Sequence, residues 1–152
     1  MKKLWVPTLA IPATLLASAA VAWATAPAKN KTYSGTSSER SPLSFKVASN
    51  GKHVTSFATT IGYNGKCGAG GGAPFVVKAA SISIANGSFH KRVTAHGPPG
   101  SQVPARKFDV SGKFSGKGGK TAKGTVAAVN LHCLPPNARK NPYSETYKAT
   151  AR

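Results

Sequence analysis

The stretch from Arg106 to Leu131 leaves this chain little choice of fold class. Phe108, Val110 and Phe114 take alternate positions, with Lys107, Asp109, Ser111 and Lys113 between them. An extended strand with that pattern has one apolar and one solvated face. Gly116, Gly118 and Gly119 then supply the positive φ that a tight reversal needs. The returning run is apolar at both parities, Val126 and Ala128 on one, Ala127, Val129 and Leu131 on the other. Such a run predicts a strand covered on both faces.

The same period of two runs through the rest of the chain. Tyr33 to Ser38 is expected as a short edge strand. Leu43, Phe45 and Val47 alternate with Ser44, Lys46 and Ala48, and Asn50-Gly51 predicts a hairpin turn. The return strand carries Val54 and then Phe57, Thr59, Ile61 and Tyr63, a parity change that places a bulge near Thr55-Ser56. A second change, from Phe75 and Val77 to Ile82 and Ile84, predicts another near Ala79-Ala80. Asn86-Gly87 marks the next hairpin, whose partner strand sets Phe89, Val93 and Ala95 against His90, Arg92, Thr94 and His96. Tyr143, Glu145, Tyr147 and Ala149 share one face of a last strand, with Ser144, Thr146 and Lys148 opposite. Prolines interrupt every stretch that approaches helical periodicity. About eight antiparallel strands over residues 32–152 predict an all-β fold, a β-sandwich.

The N-terminus reads as an address. Met1-Lys2-Lys3 is basic, Leu4 to Val21 is uncharged, and Ala22-Trp23-Ala24 supplies an A-x-A cleavage pattern. Residues 1–24 are therefore expected to be a secretory signal peptide cleaved near Ala24, followed by a flexible leader over residues 25–31. Pro7 and Pro12 and the small residues after them argue against a membrane anchor, so the mature protein is expected outside the cell without an integral membrane segment. In an exported chain, Cys67 and Cys133, the only two cysteines, are expected to form one disulfide. Closing so long a loop is worth about 4 kcal/mol in the chain-entropy model. A metal site at Cys133 with His132 is disfavoured, because adjacent residues on a strand point to opposite faces. The glycine run from Gly68 to Gly72 lacks the Gly-Lys-Ser/Thr ending of a phosphate loop.

These elements are similar to small exported bacterial all-β proteins. The residues that carry the resemblance are Tyr33, Gly35 and Thr36, then Pro42-Leu43-Ser44-Phe45-Lys46-Val47, Gly51, Val54, Phe57, Tyr63 and Cys67. Ile84-Ala85-Asn86-Gly87-Ser88-Phe89, Val110-Ser111-Gly112-Lys113-Phe114, Ala122-Lys123-Gly124-Thr125 and Cys133 complete it. The resemblance implies a sandwich or jelly-roll-like fold. It carries over no activity and no catalytic residue.

Charge is the dominant chemical feature. Lys and Arg number 21 against three acids, Glu39, Asp109 and Glu145, for a formal net charge of +18. A field of that size draws anionic polymers. Alternation turns Lys46, His90, Arg92, Lys107, Lys113 and Lys123 away from the core, and Lys117 and Lys120 lie at the turn beside them. These eight residues are the candidate polyanion-binding set, with cell-envelope or extracellular polymers as partners. Enzymatic machinery is scarce: no Gly-x-Ser-x-Gly occurs, His90 and His96 sit about 20 Å apart on an extended strand, and no metal or cofactor is called for. The expectation is a non-enzymatic module. A lectin-like surface is the first alternative, with Tyr33 and Tyr143 as the remaining aromatic platforms, since every phenylalanine falls on inward parity and Trp5 and Trp23 belong to the signal. A hydrolase using Glu39 and Glu145 is the second.

Overall fold

The computed structural model describes residues 25–62, 74–100, 104–129 and 143–152. The signal-peptide expectation, Tyr63, the glycine run, the Cys67–Cys133 disulfide and His132 lie outside the described residues.

The strands are β1 (Thr32–Ser37), β2 (Pro42–Val47), β3 (His53–Ile61), β4 (Phe75–Ala85), β5 (Ser88–Ala95), β6 (Arg106–Ser115), β7 (Thr121–Ala128) and β8 (Ser144–Ala151). Each pairs antiparallel with the next, and β8 returns to β1, so one sheet closes into a barrel. The expected sandwich is thereby corrected. Two facing sheets and one closed sheet both bury every second residue, so the alternation is identical. What separates them is whether the last strand finds the first. Here it does, in register from Tyr33↔Ala151 to Ser37↔Tyr147. β1 is accordingly not an edge: Gly35 faces Leu43 of β2 on one side and Ala149 of β8 on the other. The ladder is thinnest between β4 and β5, which pair only at Ile84↔Phe89 and Ala85↔Ser88, with an isolated bridge at Val76↔His96.

The local signals set where the sheet bends. Asn86 and Gly87 both have positive φ, 49° and 66°, which gives the two-residue turn that fits strand twist. Ser56 has φ 54°, and the β2–β3 register shifts between Ser44 and Lys46, so the bulge falls where the parity change put it. The slip in β4 is matched across the ladder: Phe57 faces Ala79 and Val54 faces Ile82, so both strands change face together. The turn at Asn50-Gly51 is longer than two residues. The Lys52 amide donates to Asn50 Oδ1 at 2.9 Å and the Ala48 amide to the His53 carbonyl at 2.9 Å, so the Asn side chain organises the loop. β7 differs from its expectation as well. It buries Ala122, Val126 and Ala128 but leaves Ala127 only half-buried, because a barrel has a single interior.

That interior is aromatic. Tyr33 stacks on Phe45 with centroids 4.9 Å apart and 7° between planes, and Phe45 meets Phe89 edge-on at 5.6 Å. Gly112 faces Phe89 on β5 and Gly124 on β7, and Gly124 faces Tyr147 on β8. A Cβ at Gly112 would collide with both the Phe89 ring and the Tyr147 hydroxyl. The paired glycines therefore make room for two large rings, and Tyr147 donates to the Ser111 carbonyl at 2.8 Å.

The two ends of the barrel differ. At one end β2–β3, β4–β5 and β6–β7 are joined by short turns; at the other, the connections span residues 62–74, 96–105 and 129–143 and a tight turn at 38–41. Residues 25–31 form no strand but lie along the short-turn end. The Thr25 amide donates to the Phe114 carbonyl at 3.3 Å, the Asn30 amide to Ala48 at 3.4 Å, and the Ala28 amide to the Tyr33 hydroxyl at 2.9 Å. That hydroxyl in turn donates to the Gly119 carbonyl at 2.6 Å. Burial pushes the Tyr33 phenol up from its ordinary range, against the opposing pull of the Ala28 amide.

Candidate polyanion-binding face

The outward residues of the barrel are Lys, Ser and Thr in the main. On β6 to β8 the pleat points Lys113, Lys123 and Lys148 outward, and the register puts them side by side: Lys113 faces Lys123, and Lys123 faces Lys148. All three are exposed. At a strand spacing of about 4.8 Å, they form a row of three charges running across the strands. The row ends against Ser88 of β5 and Thr36 of β1.

More cations stand below it, at the short-turn end. Lys117 begins a single 3-10 turn, Lys117–Gly119, and Lys120 follows. The Lys120 carbonyl accepts from the Ala151 amide at 2.8 Å, which brings β8 and its exposed terminal Arg152 alongside. The Arg152 amide bonds to Thr32, and Thr32 faces Lys46 on β2. The three acids lie elsewhere. Glu39 is in the turn at the other end, Glu145 is inside the barrel, and Asp109 faces Arg92 in mid-sheet.

The structure thus divides the eight sequence candidates. Lys113, Lys117, Lys120 and Lys123 gather on one side, with Lys46 near them through Thr32. Lys107 is six residues further up β6, about 20 Å from Lys113 at ordinary strand rise. Arg92 is engaged: its Nε and Nη2 donate to the two Asp109 carboxylate oxygens at 2.8 and 2.9 Å, and His90 Nε2 lies 3.7 Å from the same group. The Arg92 guanidinium, with a smaller contribution from His90, holds the Asp109 carboxyl below the usual carboxylate range. Lys148 and Arg152 complete the face and were absent from the sequence candidates. Lys148 shows correct outward parity in the sequence, but only the β7–β8 pairing reveals its neighbour.

The other proposed sites fare differently. Tyr33, one of the two aromatic platforms left for a sugar, is fully buried under Phe45. Tyr143 is half-buried. Glu39 is exposed while Glu145 is enclosed at 1 % exposure, so the barrel wall separates the two carboxylates. A shallow outer depression of about 270 Å³ lies over β2 to β4, lined by Pro42, Ala58, Thr60 and Val76, with Lys78 as its one charge. Among the described residues, no cluster of His, Cys, Asp and Glu could hold a metal ion. Among the same residues no helix is long and apolar enough to cross a membrane. The strands themselves reverse the lipid-spanning pattern, with the apolar face inward and the polar face outward.

Comparison of the chain with protein-family models, with characterised proteins and with solved structures gives no match.

Proposed function

We propose that this protein is an exported, non-enzymatic barrel that holds anionic polymers of the cell envelope or extracellular space against the face formed by Lys113, Lys123 and Lys148. The observation that carries this reading is the row itself. Like charges directly opposite each other on neighbouring strands destabilise a sheet. Here two such pairs share one lysine, and no acid of the described residues pairs with Lys123 or Lys148. A linear polyanion laid across β6 to β8 removes that repulsion and reaches Lys120 and Arg152 as well. The basic signal at residues 1–24 supports export, and the Cys67–Cys133 pair suits an oxidising compartment.

The test is the salt dependence of binding to a short single-stranded oligonucleotide, used as a generic polyanion. Each neutralised phosphate contributes about −0.7 to the slope of log K against log salt, so five cations predict about −3.5. Affinity should then fall about 100-fold between roughly 50 and 200 mM salt, and only about sevenfold in a Lys113→Gln, Lys123→Gln, Lys148→Gln triple variant. A triple variant with the parental slope, or binding that resists molar salt, refutes the proposal.

A further inference from the structure

The lysine row is one line of a larger grid. Along β8, Arg152 follows Lys148 by four residues, about 13 Å at ordinary strand rise. Lys117 follows Lys113 beyond the end of β6, and Lys120 precedes Lys123 just before β7. Each of the three strands therefore brings one cation to the row and a second to the short-turn rim. The rim cations are themselves neighbours. Lys117 and Lys120 flank a single 3-10 turn, the Ala151 amide bonds to the Lys120 carbonyl, and Arg152 is joined through Thr32 to Lys46. All seven side chains are exposed, and none of the three acids lies among them.

Hydroxyls fill the space between the two lines of charge. Ser115 faces Thr121, Thr121 faces Thr150, and Thr150 faces Ser34. A second hydroxyl line, Ser111, Thr125 and Thr146, runs along the far side of the lysines, with Ser111 Oγ and Thr125 Oγ1 2.8 Å apart. Lys, Arg, Ser and Thr are the side chains that bond phosphate oxygens along a nucleic-acid backbone. None of these positions holds an aromatic ring, so the face lacks the stacking platforms on which sites for single strands hold bases. None holds a large apolar side chain to enter a lipid surface either. The grid suits a ligand that offers backbone phosphates in two parallel lines. A duplex has that form across its minor groove, which is about 6 Å wide between backbone surfaces and so about 12 Å between phosphorus centres, allowing a phosphate radius of about 3 Å on each side. The same count gives about 18 Å across the major groove, wider than the grid.

From this we infer that the polymer held on the basic face is a double-stranded nucleic acid, with phosphates of one strand on the Lys113–Lys123–Lys148 row and phosphates of the other on Lys117, Lys120, Arg152 and Lys46. The inference rests on the reading of the row as a polyanion site and adds the second strand to it. Ser115, Thr121, Thr150 and Ser34 then lie over the groove. Contact is with backbone throughout, so base sequence goes unread. A single strand laid along the row reaches five of the seven cations. The duplex adds Lys46 and Lys117, which stand at the two ends of the rim.

The experiment compares a DNA duplex of a few helical turns with one of its own single strands, by fluorescence anisotropy over a range of salt. Seven contacts at about −0.9 each predict a duplex slope of about −6.3, so duplex affinity should fall about 6000-fold between roughly 50 and 200 mM salt, against about 100-fold for the single strand. A Lys46→Gln, Lys117→Gln double variant should bring the duplex slope to about −4.5, a fall of about 500-fold over the same range. At the lower salt the duplex should bind at least tenfold more tightly than the single strand, and duplexes of unrelated sequence should bind alike. Equal slopes for duplex and single strand, a duplex slope that survives the double variant, or a loss of the same size for the single strand overturns the inference and leaves the polyanion reading standing. Tighter binding to phosphatidylglycerol vesicles than to duplex at equal phosphate concentration overturns it as well. A Lys113→Gln, Lys123→Gln, Lys148→Gln variant with parental slopes for both probes defeats the polyanion reading itself.

Discussion

Replacing Lys123 by Gln tests whether the lysine row is a device rather than an accident of composition, because it should make the protein more stable. Lys123 stands between Lys113 and Lys148, so removing its charge relieves two repulsions at once. With ammonium groups about 8 Å apart in water, each is worth about 0.5 kcal/mol, for a total of about 1 kcal/mol before screening. The Debye length is about 30 Å at 10 mM salt and about 3 Å at 1 M, so the gain should be nearly complete in the first and close to zero in the second. Urea melts at the two salt concentrations give the difference directly, since urea carries no charge. Lys107→Gln is the control. Lys107 faces Thr94 on β5, and the neighbour on the β7 side is Val129, whose amide donates to its carbonyl. It should change stability little at either salt. A destabilised Lys123→Gln, or a gain that persists at 1 M, refutes the electrostatic reasoning.

Gly112→Ala should cost about 2–3 kcal/mol in a thermal or urea melt, because the new methyl meets Phe89 and Tyr147 in a packed interior, whereas Gly118→Ala, with open space around it, should cost only its left-handed backbone strain. Tyr33→Phe removes both the donor to Gly119 and the acceptor for Ala28; a loss of about 1–2 kcal/mol and faster hydrogen exchange at Ala28 are expected. Asp109 is held below its unfolded range by Arg92, so its stabilising contribution is present above an unfolded pKa of about 3.9 and disappears as pH falls through the lower folded value. The stability difference between the parent and Asp109→Asn should therefore be full at neutral pH and disappear as the pH falls through the lowered folded value of Asp109.

Much of the strand map could be read from residues because it depends on local rules. Asn86-Gly87 needs no tertiary context to make its turn, and the inward phenylalanines follow from the two-residue period alone. The bulge at Ser56 was visible as a break in that period. Asn50-Gly51 marks a hairpin in the same way, but the length of its loop is not legible there, since it depends on the Asn50 side chain accepting from the Lys52 amide. For the candidate site, parity placed Lys113 and Lys123 outside correctly. It could not show that Arg92 is engaged by Asp109, nor that Lys148 extends the row, because both depend on which strand lies beside which.

By itself the sequence determined an all-β chain, its hairpins, its apolar face and a large positive charge, all of which are written in neighbouring residues. The tertiary structure decided that β8 closes on β1, and that single pairing turned an expected sandwich into a barrel. It also decided which lysines stand together and sealed Glu145 inside. Alternation fixes the face to which a side chain points, whereas its neighbours are fixed by register between strands distant in the chain.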